Sequence, residues 1–245
     1  MGSVARMGPR VEEDSGIDGR RLRLLARALG KVGPTGTWWP YTDPFEVAVS
    51  AVLTQRARWE GAAGAMAALR DAGLLTPTAL AAAPLEDLER CLRPAGFYRQ
   101  KARALKSIAS RLCDVYGGRW GALLALDTPT LRRELLGWRG VGDETADAIL
   151  LYAADRPAFV IDAYTKRLMG RFGALDRGAK PSYRRLSEVW TRAGFADPAK
   201  ARRIHASIVD FSKSTCAARP KCGGCPLERE CLKVGLPARR PAQTR

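Results

Sequence analysis

The sequence contains no run of about 20 apolar residues, the length a helix needs to cross a bilayer, so a membrane-spanning helix is not expected. No single helix gathers basic residues opposite an apolar face, and a membrane-surface anchor is equally unsupported. The opening residues, MGSVARMGPRVEED, lack the apolar stretch of a secretory signal and are set aside from the fold. Alternating strand patterns and Asn-Gly hairpin signals are almost missing, which leaves an all-α class. No repeat at a solenoid period is present. Acidic residues are outnumbered: 25 Asp and Glu stand against 41 Lys and Arg, a formal net charge of +16. The excess runs along the whole chain and favours a polyanion, nucleic acid first, because neutralising phosphates releases their counterions. The one histidine, His205, reads as a packed helix residue without a catalytic part.

What is present is enough for a core. With 245 residues, 46% of them hydrophobic, the chain can form one domain or two small ones sharing a cleft. Leu22, Leu25 and Leu29 make one apolar helical stripe, expected to end at Gly30. Asp43-Pro44-Phe45-Glu46 reads as a capping box with proline at the first helical position. Thr76-Pro77, Ala83-Pro84 and Thr128-Pro129 open further helices. Leu105, Ile108, Leu112 and Val115 share a face that the pair Gly117-Gly118 terminates. Beyond Pro157, helices are expected at roughly 162–173, 181–194 and 198–212. The last residues, PARRPAQTR, read as a disordered basic tail.

Between two of these helices lies WRGVGDETADAI, residues 138–149, a Gly-x-Gly turn followed at once by Asp143, Glu144 and Asp147. Amides at such a turn seat a phosphate, which acids beside it would repel. Asp143 in the first helical turn gains from the macrodipole, and Asp147 reads as a surface acid. Four of six cysteines, Cys216, Cys222, Cys225 and Cys231, fall in a C-x5-C-x2-C-x5-C run. A central pair with two outlying partners suits a compact [4Fe–4S] loop; structural zinc and unligated thiols are the alternatives. Cys91 and Cys113 read as small buried hydrophobes.

LLGWRGVGDETADAILLYA, FVIDAYTKRL, DPFEVAVSAVLTQ and the cysteine loop, in that spacing, resemble the endonuclease III family of helix-hairpin-helix DNA glycosylases over about residues 18–233. WWPYTDPFE, LTQ and DAYTKR look most like a divergent branch that includes glycosylases for alkylated purines. The resemblance implies a six-helix barrel over 40–153 and a cluster domain from 17–39 and 154–233. Residues 1–16 and 234–245 are expected to be disordered, and double-stranded DNA with a damaged base to lie in the cleft. It also implies a [4Fe–4S] cluster on the four cysteines. Gly140, Val141 and Gly142 would hold a phosphate, Asp162 would be the cleft carboxylate, and Gln55 would fill the gap left by an extruded base. Phe97 would be a wedge replacing lost stacking, although its apolar surroundings also allow a core position.

Members that cut the strand carry a lysine where this chain has Glu144, and a carboxylate cannot form their imine. The expectation is a monofunctional glycosylase in which Glu144 and Asp162 act together and one of their pKa values rises. Two alternatives are a non-catalytic damage-binding protein and a glycosylase that cuts DNA with another nucleophile. Trp38, Trp39, Tyr41 and Trp59 form either a pocket for a cationic alkylated purine or a packed lid; oxidised pyrimidines stay open as substrates. A monomer in the cytoplasm, associated with the nucleoid and not with membrane, is expected.

Overall fold

A computed structural model describes residues 16–34 and 39–236 of the chain. Trp38 and nearly all of both termini, for which expectations were stated, lie outside the described residues. Among these residues the fold is all-α: α1 Gly19–Val32, α2 Pro44–Leu53, α3 Trp59–Asp71, α4 Pro77–Ala82, α5 Leu85–Leu92, α6 Tyr98–Tyr116, α7 Trp120–Leu124, α8 Thr128–Leu136, α9 Asp143–Ala148, α10 Ala163–Phe172, α11 Tyr183–Trp190 and α12 Pro198–Ser214. An isolated antiparallel bridge, Ile17 to Leu175, is the one strand-like pairing among them.

The chain divides into two compact units. The central unit is Gly36–Val160 with Gly194–Arg202, and the terminal unit takes the chain up to Thr35, Ile161–Ala193 and everything from Arg203 on.

In the central unit α2 is the core helix, with eight of its ten residues buried. A helix apolar all round needs neighbours on every side, and α2 packs against α3, α6, α9 and the turn after α9. Asp43 starts it by accepting the Phe45 and Glu46 amides at 2.9 and 3.0 Å. Glu46, expected to close a capping box, instead pairs with Arg70 of α3 at 3.0 Å. The buried Ser50 hydroxyl donates to the Val47 carbonyl at 2.8 Å, so its burial carries no unmet donor. Thr76 and Asp127 cap α4 and α8 by accepting the Ala79 and Thr130 amides. The first residue of α8 is thus Thr128, with the cap one position earlier than Thr128-Pro129 suggests.

α9 does not continue as a regular helix. Ile149–Ala153 forms a π turn, in which the Ala154 amide reaches back five residues to the Ile149 carbonyl at 3.0 Å.

In the terminal unit the stripe Leu22, Leu25 and Leu29 is fully buried. Here α1 runs through Gly30, where one helical glycine costs about 1 kcal/mol, and ends at Gly33, whose φ of +68° turns the chain while its amide donates to the Leu29 carbonyl at 3.0 Å. Arg21 ties α1 to α10, donating from Nη2 to the Phe172 carbonyl at 2.6 Å with its guanidinium 4.9 Å from the Phe172 ring centre. Trp190 is fully buried, its indole donating to the Met169 sulfur at 3.2 Å.

Candidate active site

The Gly-x-Gly turn is held from below by Trp138 and Val141, both buried. Trp138 donates its indole N–H to Glu134 Oε1 at 3.0 Å and meets Trp120 edge-on at 6.2 Å, and Val141 donates its amide to the Trp138 carbonyl at 3.1 Å. Gly140 has φ +81°, and a Cβ there would lie 2.7 Å from Ala104 Cβ on α6, so only glycine fits. At Gly142 a Cβ would meet nothing within 4 Å.

The acids behind the turn are explained by Arg132 on α8. Its Nη2 donates to Asp143 at 2.6 Å and its Nε to Asp147 at 2.8 Å, bracing α8 against α9. Asp147 is 3% exposed and is therefore an internal ion-pair partner, which corrects its reading as a surface acid. The pairing is out of reach of local spacing, since Arg132 lies on the preceding helix. Glu144, by contrast, is exposed.

Two more expected site residues lie in the central unit. Gln55, just past α2, donates its amide to the Gly140 carbonyl at 2.9 Å and to the Thr145 hydroxyl at 2.8 Å. Phe97 caps α6 in the left-handed region, φ +47°, with its ring 54% exposed, so it is no core residue. Arg56 is also left-handed, at φ +50°. Non-glycine residues hold such angles at a cost of about 1–3 kcal/mol and gather at working sites.

An aromatic group lies in the same unit. Trp39 stacks on Tyr152 at 4.8 Å and 19°, meets Trp59 edge-on at 6.4 Å, and donates its indole N–H to Ser50 at 3.0 Å. Tyr41 tilts against Trp59 at 6.3 Å. Tyr152 was missed in the sequence because its partner Trp39 lies more than a hundred residues away, beyond the reach of periodicity.

In the terminal unit Asp162 caps α10, its Oδ1 accepting the Thr165 amide at 2.7 Å. Its Oδ2 lies 3.6 Å from Nε2 of His205, which is 3% exposed. Burial alone would raise the Asp162 pKa, but the His205 ring and the Thr165 amide outweigh it and hold the carboxyl below its ordinary value. The side chain keeps 13% exposure, so the carboxylate is anchored without being sealed. A rise in one carboxyl pKa was expected; Asp162 moves the other way. His205 is a packed helix residue as expected; its neighbour Asp162 is 43 residues away in sequence, beyond the reach of periodicity.

The four cysteines line one pocket of the terminal unit together with Arg171, Phe211 and Leu227. Burial, and then the mutual proximity of the four sulfurs, pushes the Cys225 thiol up; burial does the same for Cys231. Arg171 donates to the carbonyls of Cys216 and Ala217 and lies 3.5 Å from Cys216 Sγ, and the Lys233 amide donates to Cys231 Sγ at 3.4 Å. Among the described residues no three His, Cys, Asp or Glu side chains converge in a way that would hold one metal ion. Four thiols around one pocket, with N–H donors aimed at sulfur, fit a larger group better.

Residues 49–192 match the HhH-GPD superfamily of base excision DNA repair proteins. A protein of Methanocaldococcus jannaschii, whose name marks it as a provisional DNA repair glycosylase, is 39% identical over 80% of this chain and 88% of its own length. Endonuclease III of Thermotoga maritima is 32% identical over 86% of this chain and 92% of its own. Among solved structures, H. pylori 3-methyladenine DNA glycosylase bound to 1,N6-ethenoadenine matches with a TM-score of 0.67 and 25% identity, over 80% of this chain and 98% of that one. The chain belongs to the HhH-GPD superfamily of base excision DNA repair proteins and shares the all-α fold of its DNA glycosylases.

Proposed function

We propose that this protein is a monofunctional DNA glycosylase that hydrolyses the N-glycosidic bond of an alkylated purine flipped from the duplex. The observation that carries the reading is the anchored carboxylate: Asp162 is capped by the Thr165 amide, neighboured by His205 and held ionised at neutral pH. A fixed negative charge is what a departing base requires, because positive charge develops on the sugar as the C–N bond breaks. The bond's electron pair leaves with the base, a cationic alkylated purine departs neutral, and water adds to the sugar carbon. Asp162 takes the proton that this water loses.

The residue at 144 carries no amine, so the sugar is left as an intact abasic site. Gln55 and Phe97 enter the duplex, and the hairpin Gly140-Val141-Gly142 grips a phosphate. The stacked Trp39 and Tyr152 with Trp59 beside them supply the electron-rich faces that attract a cationic base. The likeness to a 3-methyladenine glycosylase supports the same substrate class.

Cys216, Cys222, Cys225 and Cys231 would hold a [4Fe–4S] cluster. When bound, the cluster cross-links the loop that Arg167 and Arg171 already tie to α10 through the Cys216 carbonyl.

Duplexes each carrying one alkylated adenine, uracil, thymine glycol or abasic site test the reading, with and without hot alkali. Breaks on the alkylated-purine strand only after alkali are expected, and Asp162→Asn should slow base release by about 10²–10⁴-fold. Strand breaks without alkali, or a borohydride-trapped adduct, would overturn the monofunctional reading; no base release from any duplex would favour a binding protein. Brown protein with visible absorption supports iron and sulfur, and colourless protein carrying zinc contradicts it.

A further inference from the structure

Lys101 lies in the first turn of α6, 4% exposed, and no carboxylate pairs with it among the described residues. A buried ammonium without a counter-charge is costly where methionine or leucine would pack at less expense, so its hydrogen bonds need an explanation. Nζ donates to two main-chain carbonyls only, Leu53 at 2.9 Å and Ala95 at 2.7 Å. Leu53 is the last residue of α2, and Ala95 ends the short 3-10 turn Arg93–Ala95 ahead of α6. Each carbonyl stands two residues before a side chain assigned to the duplex: Leu53 before Gln55, Ala95 before Phe97. Each segment then passes through a left-handed residue, Arg56 in one and Phe97 itself in the other.

The geometry points to Lys101 as a positioning residue whose ammonium clasps the two insertion segments together and sets the spacing at which Gln55 and Phe97 enter the DNA. The inference rests on the reading that these two side chains occupy the opened duplex. Lys101 touches neither DNA nor the reacting bond. One charge serves two carbonyls at the ends of helical turns, where acceptors lack intrahelical partners. Gln55 has a second tie, from its amide to the hairpin at Gly140 and Thr145, so its side chain can let go while Lys101 keeps its backbone in place. Removing the clasp should therefore impair extrusion while sparing the grip on backbone phosphates.

The test uses the full-length protein and a duplex with 2-aminopurine beside the lesion, whose fluorescence rises when stacking is lost. For Lys101→Met we expect the fluorescence rise and single-turnover base release both to fall about tenfold, the scale of losing a charge-assisted hydrogen bond. Affinity for undamaged duplex should stay within about twofold, since phosphate contacts are untouched. Base release from the same lesion opposite a one-nucleotide gap, where the helix is already open, should recover to within about twofold of the native protein, an outcome that general damage to the fold would not give. Lys101→Arg, which keeps donors and charge, should rescue in part.

Lys101→Gln is made alongside in case the methionine variant does not fold. If neither uncharged variant folds, Lys101 is a stability element and the inference is overturned. It is also overturned if a folded Met or Gln variant extrudes the base normally, or loses activity equally on gapped and intact duplexes. Phe97→Ala and Gln55→Ala separate the two levels. If they reduce the fluorescence rise and the Lys101 variants do not, only the clasp fails. If they leave it unchanged, the insertion reading fails and takes the clasp with it.

Discussion

A single carboxylate illustrates how far local sequence carries the argument and where it stops. Asp162 reads as an N-cap from its place before Ala163–Phe172, and it does cap that helix. Its second oxygen meets His205, a contact between residues far apart in sequence that no spacing rule anticipates. The pKa direction makes the contact testable. With the folded pKa below its unfolded value, Asp162 contributes stability that is present above the ordinary carboxylate range and is lost as pH falls through the folded pKa. In His205→Ala the buried carboxyl loses its strongest opposing influence and its pKa rises. The acid limb of base release should then move to higher pH while the plateau rate changes less, as a pH–rate profile on one lesion duplex would record. Residue 144 offers a gain-of-function counterpart. Glu144→Lys puts an amine at the exposed position to which the resemblance assigns the lysine of strand-cutting members, and borohydride should trap a covalent adduct that the native protein does not form. An untrappable Glu144→Lys protein that still releases base would show that the position alone does not confer imine chemistry.

At the scale of the element, most helices were legible because their punctuation is chemical. Asp43, Thr76 and Asp162 are caps in the sequence and caps in space. Where the reading slipped, a local signal was too weak to decide: one glycine at 30 does not stop α1, which ends at the left-handed Gly33, and Val115 lies exposed because the last turn of α6 outruns the core. The acids of α9 were the least legible, since only the approach of α8 shows that Arg132 holds Asp143 and Asp147 together. The hairpin glycines separate cleanly on the same basis. Gly140→Ala should cost about 1–3 kcal/mol, from the left-handed backbone and the clash with Ala104, seen as a lowered urea midpoint at unchanged slope. Gly142→Ala has room for its methyl and should unfold at nearly the native midpoint, so a loss of DNA affinity there would report on the turn's contact with phosphate.

For the whole molecule, charge is the property read most directly from composition. A net +16 on 245 residues implies that much of the affinity for DNA is electrostatic and indifferent to sequence. Binding to undamaged duplex should weaken by about 10³–10⁵-fold between 50 and 200 mM salt if six to ten phosphates are neutralised, measurable by fluorescence anisotropy. On the proposed function, discrimination for a lesion should survive that change far better, because the stacking and charge contacts it assigns to Trp39, Tyr152 and Asp162 involve no counterion release. A specificity ratio that collapsed in parallel with affinity would assign recognition to the backbone instead.

The π turn Ile149–Ala153 has its own implication. Helices are usually regarded as fixed rulers, altered by swapping what is mounted on them. Here the ruler changes pitch at its end, and the ring carried on that wider turn, Tyr152, forms half of a stacked pair with Trp39. The width and chemistry of that aromatic wall are thus open to change by insertion or deletion within a helix, without any substitution among the residues that form it.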